Sequence, residues 1–208
     1  MRLIIVDDGS PDHTSSVAKN LAKHYLGQII IVQRPCKQGI GTAYTEGFSK
    51  ALAEGARYVL QMDADLSHPP ECIPYMLKSL KESEVSVGSR YIEGGEVTHP
   101  SGHWRHLLSL LGNWGIRAVA GIETKDVTSG FKAFRGDTLR RLNFKKFRCK
   151  GFGFQAEMTY ACERLNVSVN EHPIVFNPRT RGESKMSIYI VLETMWHIAW
   201  LRWKNYID

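Results

Sequence analysis

The chain reads as an α/β protein with a mostly parallel central sheet flanked by helices, and three observations carry that reading. Short apolar runs rich in β-branched residues, RLIIV (2–6), QIIIVQ (28–33), YVLQM (58–62) and VSVG (85–88), are each bounded by turn residues, the pattern of strands buried on both faces. Stretches of helical length separate them, over 14–25, 39–52 and 70–82, and strand and helix alternating at this pitch make a parallel sheet. Acidic turns follow two of the strands directly, Asp7-Asp8 after the first and Asp63-Ala64-Asp65 after the third, where open α/β sheets place their ligands. At 208 residues the chain is one domain with a full core.

Taken in order, RLIIV runs into Asp7-Asp8-Gly9-Ser10. Ser10 suits an N-cap, Pro11 the first helical position and Asp12 the positive end of the helix over 14–25. After the strand at 28–33, Gly39-Ile40-Gly41 opens the next helix. A dinucleotide fingerprint would need glycine at Tyr44, so these glycines serve a turn or a close backbone approach instead. The strand at 58–62 ends in the acid pair, and Pro69-Pro70 opens the helix over 70–82. The second half predicts a helix over 103–120 carrying Leu107, Leu108, Leu110, Leu111 and Trp114, and a loop (126–131) into a short strand at 132–134. A helix from 151 to 165 follows, then a strand over 167–176 in which Pro173 marks an edge or bulge. A basic loop (177–185) leads to a last helix over 188–207. On a 100° wheel Ile188, Leu192, Met195, Trp196, Ala199, Trp203 and Tyr206 share one side, with Val191 and Ile198 at its edge. Glu193, Thr194, His197, Lys204, Asn205 and Asp208 lie opposite. Such a helix fits a membrane interface and fits packing on the sheet equally well.

The net charge of +6 admits nucleic acid, an anionic membrane surface or a phosphorylated substrate as partner. The charge is scattered and no basic, aromatic-lined motif accompanies it, which argues against nucleic acid. The four cysteines lie far apart without a CxxC, so neither a zinc site nor a disulfide framework is indicated. No stretch of about 18 uncharged apolar residues is present, and no transmembrane helix is expected.

Two carboxylates one residue apart, just past a buried strand, are placed to hold a hard divalent cation by oxygen, with substrate phosphates completing its shell. A calcium loop of the EF-hand type is excluded, because counting from Asp63 the sixth position is His68 and the twelfth Pro74. A solvated acidic turn is the plainer use of a lone Asp-x-Asp. Asp7 and Asp8 at the same sheet edge favour a site for a metal-bound diphosphate.

Six strings occur in order over nearly the whole chain: VDDGSPD (6–12), QMDADLSHPP (61–70), VGSRYIEGG (87–95), DVTSGFKAF (126–134), GFGFQAEM (151–158) and RTRGESK (179–185). Together they resemble the inverting glycosyltransferases of the GT-A fold and, more narrowly, the dolichyl- or polyprenyl-phosphate mannosyltransferases. The resemblance implies a GT-A domain over 1–186 and a C-terminal amphipathic helix over 187–208. It implies contacts of Asp7 and Asp8 with the base and ribose of a sugar nucleotide, and Asp63, Asp65 and Ser67 as ligands of Mg2+ or Mn2+. Asp65 and Arg90 would serve the reaction itself; Arg90, Arg105, Arg179 and Lys185 would bind the acceptor phosphate. Asp63 would also belong to the nucleotide-sugar site, and Gln155 and Glu157 would face its sugar side. The implied donor is GDP-mannose and the implied acceptor dolichyl or polyprenyl phosphate. The implied setting is a membrane surface, with small membrane-anchoring subunits as further partners and the site on the cytoplasmic side. UDP-glucose as donor and a non-catalytic binding module are the alternatives. Members of the family usually begin with one more strand and helix, so the strand at 2–6 is expected to lack a neighbour on one side, and the base pocket part of its wall.

Overall fold

The structure is a computed structural model describing residues 1–98, 103–177 and 188–204. Its strands fall into three groups. Strand β1 (Leu3–Asp7) pairs in parallel with β2 (Ile29–Gln33), from Leu3 opposite Ile29 to Asp7 opposite Gln33. A four-stranded sheet has the order β3 (Tyr58–Gln61), β6 (Lys132–Arg135), β4 (Val85–Ser89), β7 (Val169–Pro173). Strands β4 and β7 run parallel, while β6 is antiparallel to both its neighbours. The short β5 (Glu96–Val97) and β8 (Val175–Phe176) form a separate parallel pair. Among the described residues no strand pairs with the second edge of β1.

Helices α1 (Thr14–His24), α2 (Ile40–Ala53), α3 (Ile73–Ser79), α4 (His103–Ala120), α5 (Gly136–Arg141), α6 (Phe154–Arg164) and α7 (Ile188–Lys204) cover the strands. Helix α2 reaches both sheets. A Cβ at its Gly47 would touch the Val6 side chain at 3.4 Å, while its Phe48 is buried in a core with Phe134, Val85, Phe154 and Met158. A second core on the other face gathers Met76, Leu80, Phe131 and Ile174. A third, holding Ile116, Tyr160, Ile198 and Leu201, joins α4, α6 and α7.

Several local expectations need correction. Ser10 does not cap α1: its N–H donates to Asp7, the helix starts at Thr14, and Asp12 receives the Thr14 N–H and hydroxyl instead. The helix over 70–82 is a 3-10 turn (Pro70–Cys72) followed by the shorter α3. The strand over 167–176 breaks between Pro173 and Val175, since a proline nitrogen cannot continue a ladder. Strand β5 and helix α5 went unpredicted, being two and six residues long.

Helix α7 divides its apolar surface. Val191, Ile198 and Leu201 are buried, as is Thr194, which the wheel had placed on the polar face. Leu192, Trp196 and Trp203 face outward. The buried side docks on α4, and the two helices run parallel, with Gly112 against Val191, Gly115 against Met195 and Gly121 against Arg202. No described helix is long and apolar enough to cross a membrane.

Candidate active site

Strand β3 delivers Gln61 buried and then Asp63 and Asp65 partly exposed in the turn beyond it. The Asp63 carboxylate accepts the Tyr44 hydroxyl of α2 at 2.6 Å, and its backbone N–H donates to His68 Nδ1 at 3.0 Å. An accepting Nδ1 places the ring proton on Nε2. Burial pushes the His68 imidazole below its usual range, so it stays neutral, and its ring stacks on Phe131. Asp65 accepts the Ser67 N–H and hydroxyl, so Ser67 orients that carboxylate. Leu66 between them has φ +65°, a left-handed conformation a leucine adopts only under constraint.

Asp8 is ion-paired with Arg34, which follows β2 and is itself buried. Arg34 also donates to the Thr42 hydroxyl and the Gly39 carbonyl at the start of α2. Thr42 and Tyr44 therefore tie the two acidic turns to one turn of a single helix. That turn can form because Gly39 (φ +103°) and Gly41 lie against the backbone of residues 149–150; a Cβ on either would meet a carbonyl oxygen at 2.5–2.6 Å. Asp7 turns the other way: hydrogen bonds from Ser10 and Ser15 hold its carboxyl below the ordinary range.

Arg90 ends β4. Its backbone N–H, Nε and Nη2 all donate to Asp126, Nη2 donates to Thr128 as well, and the guanidinium lies over the Tyr91 and Phe176 rings. Burial pushes the Asp126 carboxyl up, but the guanidinium beside it more than reverses this and holds it below the ordinary carboxylate range. Arg90 is first of all the partner of Asp126; only Nη1 is left without a hydrogen bond among the described residues.

Gln155 and Glu157 lie two residues apart on α6 and point to different places. Gln155 accepts from the Gln61 amide at 2.7 Å and the Lys132 ammonium at 3.2 Å, beneath the acid pair. Glu157 is turned away, accepting the backbone N–H groups of Arg148 and Cys149 with His197 of α7 beside it. Arg105 lies in the first turn of α4, and nothing is described of its side chain; Arg179 and Lys185 lie outside the described residues.

The oxygen donors of Asp63 and Asp65, steadied by Tyr44 and Ser67, suit a hard divalent cation. The family described as "Glycosyl transferase family 2" matches residues 1–142. The chain belongs to that family. Among its relatives, an undecaprenyl-phosphate mannosyltransferase of Micrococcus luteus is 37% identical over 98% of this chain and 84% of its own length. A polyprenol monophosphomannose synthase of Mycolicibacterium smegmatis is 35% identical over 96% and 75%. A dolichol-phosphate mannosyltransferase of Pyrococcus furiosus is 33% identical over 99% and 56%. Among solved structures, glucosyl-3-phosphoglycerate synthase from Mycobacterium tuberculosis with Mn2+, UDP-glucose and phosphoglyceric acid superposes with a TM-score of 0.61. It is 16% identical, over 95% of this chain and 68% of that one, a likeness of fold. The fold is GT-A.

In this family 2 chain the sequence reading missed Arg34, Tyr44, His68 and Asp126. Arg34 stands directly after a predicted strand, at the same sheet edge as the acids, and that position was a usable signal. Tyr44 carried none, since a tyrosine in an amphipathic helix reads as core.

Proposed function

We propose that the chain transfers mannose from GDP-mannose to dolichyl or another polyprenyl phosphate, with inversion at the anomeric carbon. The observation that carries this is the joining of Asp8, through Arg34 and Thr42, and of Asp63, through Tyr44, to the first turns of α2. A sugar nucleotide has a nucleoside end and a diphosphate end, and the two acidic groups match them. The mannosyltransferase names of the relatives support the sugar and the lipid acceptor.

Asp63 and Asp65 would hold Mg2+ or Mn2+, which supplies Lewis-acid stabilisation of the departing diphosphate when bound. Asp8 and Arg34 would orient the nucleoside, and Gln155 would face the sugar from below. A lipid phosphate is ionised at neutral pH and needs cations to approach the donor more than it needs a base. Arg90 would offer Nη1 to it, with Arg105, Arg179 and Lys185 as further phosphate partners. Direct in-line attack gives a β-mannosyl phosphate. The exposed apolar residues of α4 (Leu107, Leu111, Trp114) and α7 (Leu192, Trp196, Trp203) would rest on the membrane that holds the acceptor.

The test is transfer of label from GDP-mannose into the organic phase with polyprenyl phosphate and Mn2+, beside UDP-glucose as competing donor. Asp65→Ala is expected to lower transfer at least about 100-fold, the loss typical of removing one transition-state charge stabiliser. Undiminished transfer in Asp65→Ala, or preferential use of UDP-glucose, would overturn the reading.

A further inference from the structure

Cys149, Glu157 and His197 come from three separate segments, the stretch before α6, the first turn of α6 and the middle of α7. Their Sγ, carboxylate oxygen and ring nitrogen all lie within 4.8 Å of one another. We propose that this cluster is a second metal site, separate from the acid pair, that takes a borderline transition ion of the Zn2+ class and fastens α7 to the domain.

The donor set decides the class of ion. Thiolate, imidazole and carboxylate together suit Zn2+ and its neighbours, whereas Mg2+ and Mn2+ prefer all-oxygen sites such as that of Asp63 and Asp65. Tetrahedral coordination at about 2.0–2.3 Å puts donors roughly 3.3–3.6 Å apart, so about an ångström of closure completes the three-ligand face. His197 Nε2 and Glu157 Oε1 already stand 3.3 Å apart.

The surroundings are built for it. Glu157 is wholly buried, and the N–H groups of Arg148 (3.1 Å) and Cys149 (2.8 Å) fix its carboxylate, as ligating carboxylates are usually fixed. The Trp200 ring stacks on His197 and sets its plane. Glu193, exposed one turn before His197 on the same helix, or a water, can occupy a fourth position. Cys149 and Glu157 are eight residues apart and His197 forty further on, so no metal-binding spacing marks them in the sequence.

The site does not depend on the transferase reading, and its test needs no activity. The full chain, stripped with a chelator and then dialysed against Zn2+ in excess Mg2+, is expected to retain one Zn2+ per chain. Co2+ in its place is expected to give tetrahedral visible bands and a thiolate charge-transfer band. Cys149→Ser and His197→Gln should each weaken Zn2+ binding by more than about 100-fold, the upper end of what losing a supporting partner costs. Asp65→Asn should leave it unchanged. Zn2+ should raise the melting temperature of the parent chain and of Asp65→Asn, and not of Cys149→Ser or His197→Gln, because a ligand of the native state stabilises it. Should either variant fail to fold, the parent's Co2+ spectrum decides. A parent that retains no Zn2+, shows no sulfur-to-cobalt band, or loses nothing in the variants would overturn the proposal.

Discussion

At the scale of single residues, charges below the site are held by specific partners, and each makes a measurable claim. Asp126 is fully buried and bonded three ways to Arg90. Asp126→Asn strands a buried guanidinium, and the expected loss is about 3–5 kcal/mol, read as a lower urea midpoint at unchanged slope. The folded carboxyl titrates below its unfolded value of about 3.9. The pair's contribution is therefore complete above that value and is lost as pH falls through the folded one. Lys132 gives the same sign of pH dependence, but in the alkaline range and because burial prevails. Burial lowers its ammonium to about 8, against about 10.4 in the unfolded chain. Between those values the unfolded state binds more protons, so stability should rise with pH from about 8 to about 10.4. Lys132→Met should flatten that rise; a rise of the same size in the variant would assign it elsewhere. Tyr44→Phe removes one hydrogen bond to the Asp63 carboxylate, worth about 1.5–3 kcal/mol. If that bond orients a donor-site ligand, the apparent affinity for donor and metal should fall tenfold or more with folding intact, read as KM against kcat.

At the scale of elements, long periodic segments were legible and short ones were not. Helix α4 falls on its predicted span, and β2 within a residue of it, because apolar periodicity and punctuation agree there. Ser10 misled because a good capping residue was closer to Asp7 than to the helix. The acid pair stands out in the sequence because two charges directly after an apolar run break its pattern, whereas Asp126 reads as any loop aspartate until Arg90 is seen against it. Helix α7 was ambiguous for a physical reason: its apolar stripe is wide enough to do two things, and it docks by Val191, Ile198 and Leu201 while exposing Leu192, Trp196 and Trp203. Helix α4 likewise exposes Leu107, Leu111 and Trp114. If both helices meet lipid, Leu111→Glu with Trp114→Glu should weaken binding to anionic vesicles by more than tenfold, since each large side chain buried contributes about 1.5–3 kcal/mol. Trp196→Glu with Trp203→Glu should do the same. Vesicle sedimentation unaffected by the α4 pair would confine the membrane contact to α7.

At the scale of the whole molecule, the described strands are unevenly supported by their neighbours. Strand β6 is paired on both edges and its Lys132, Ala133 and Phe134 are buried. Strand β1 is paired on one edge, Leu3 is half exposed, and the isoleucines of β1 and β2 are partly exposed. Local stability follows burial and the number of hydrogen-bonded neighbours. Amides of β1 and β2 should therefore exchange with solvent well before those of β4 and β6. The less protected unit carries Asp7 and Asp8 and leads into Arg34, while the better protected one carries Asp63 and Asp65. A ligand bridging the two groups stabilises only the arrangement in which both are in place. GDP-mannose with Mn2+ should then slow exchange in β1 and β2 far more than in β6, narrowing the gap between them. Hydrogen exchange with and without donor checks this directly. Equal protection of all strands beforehand would contradict the division, and a donor effect confined to β3 would separate Asp8 from the nucleotide site.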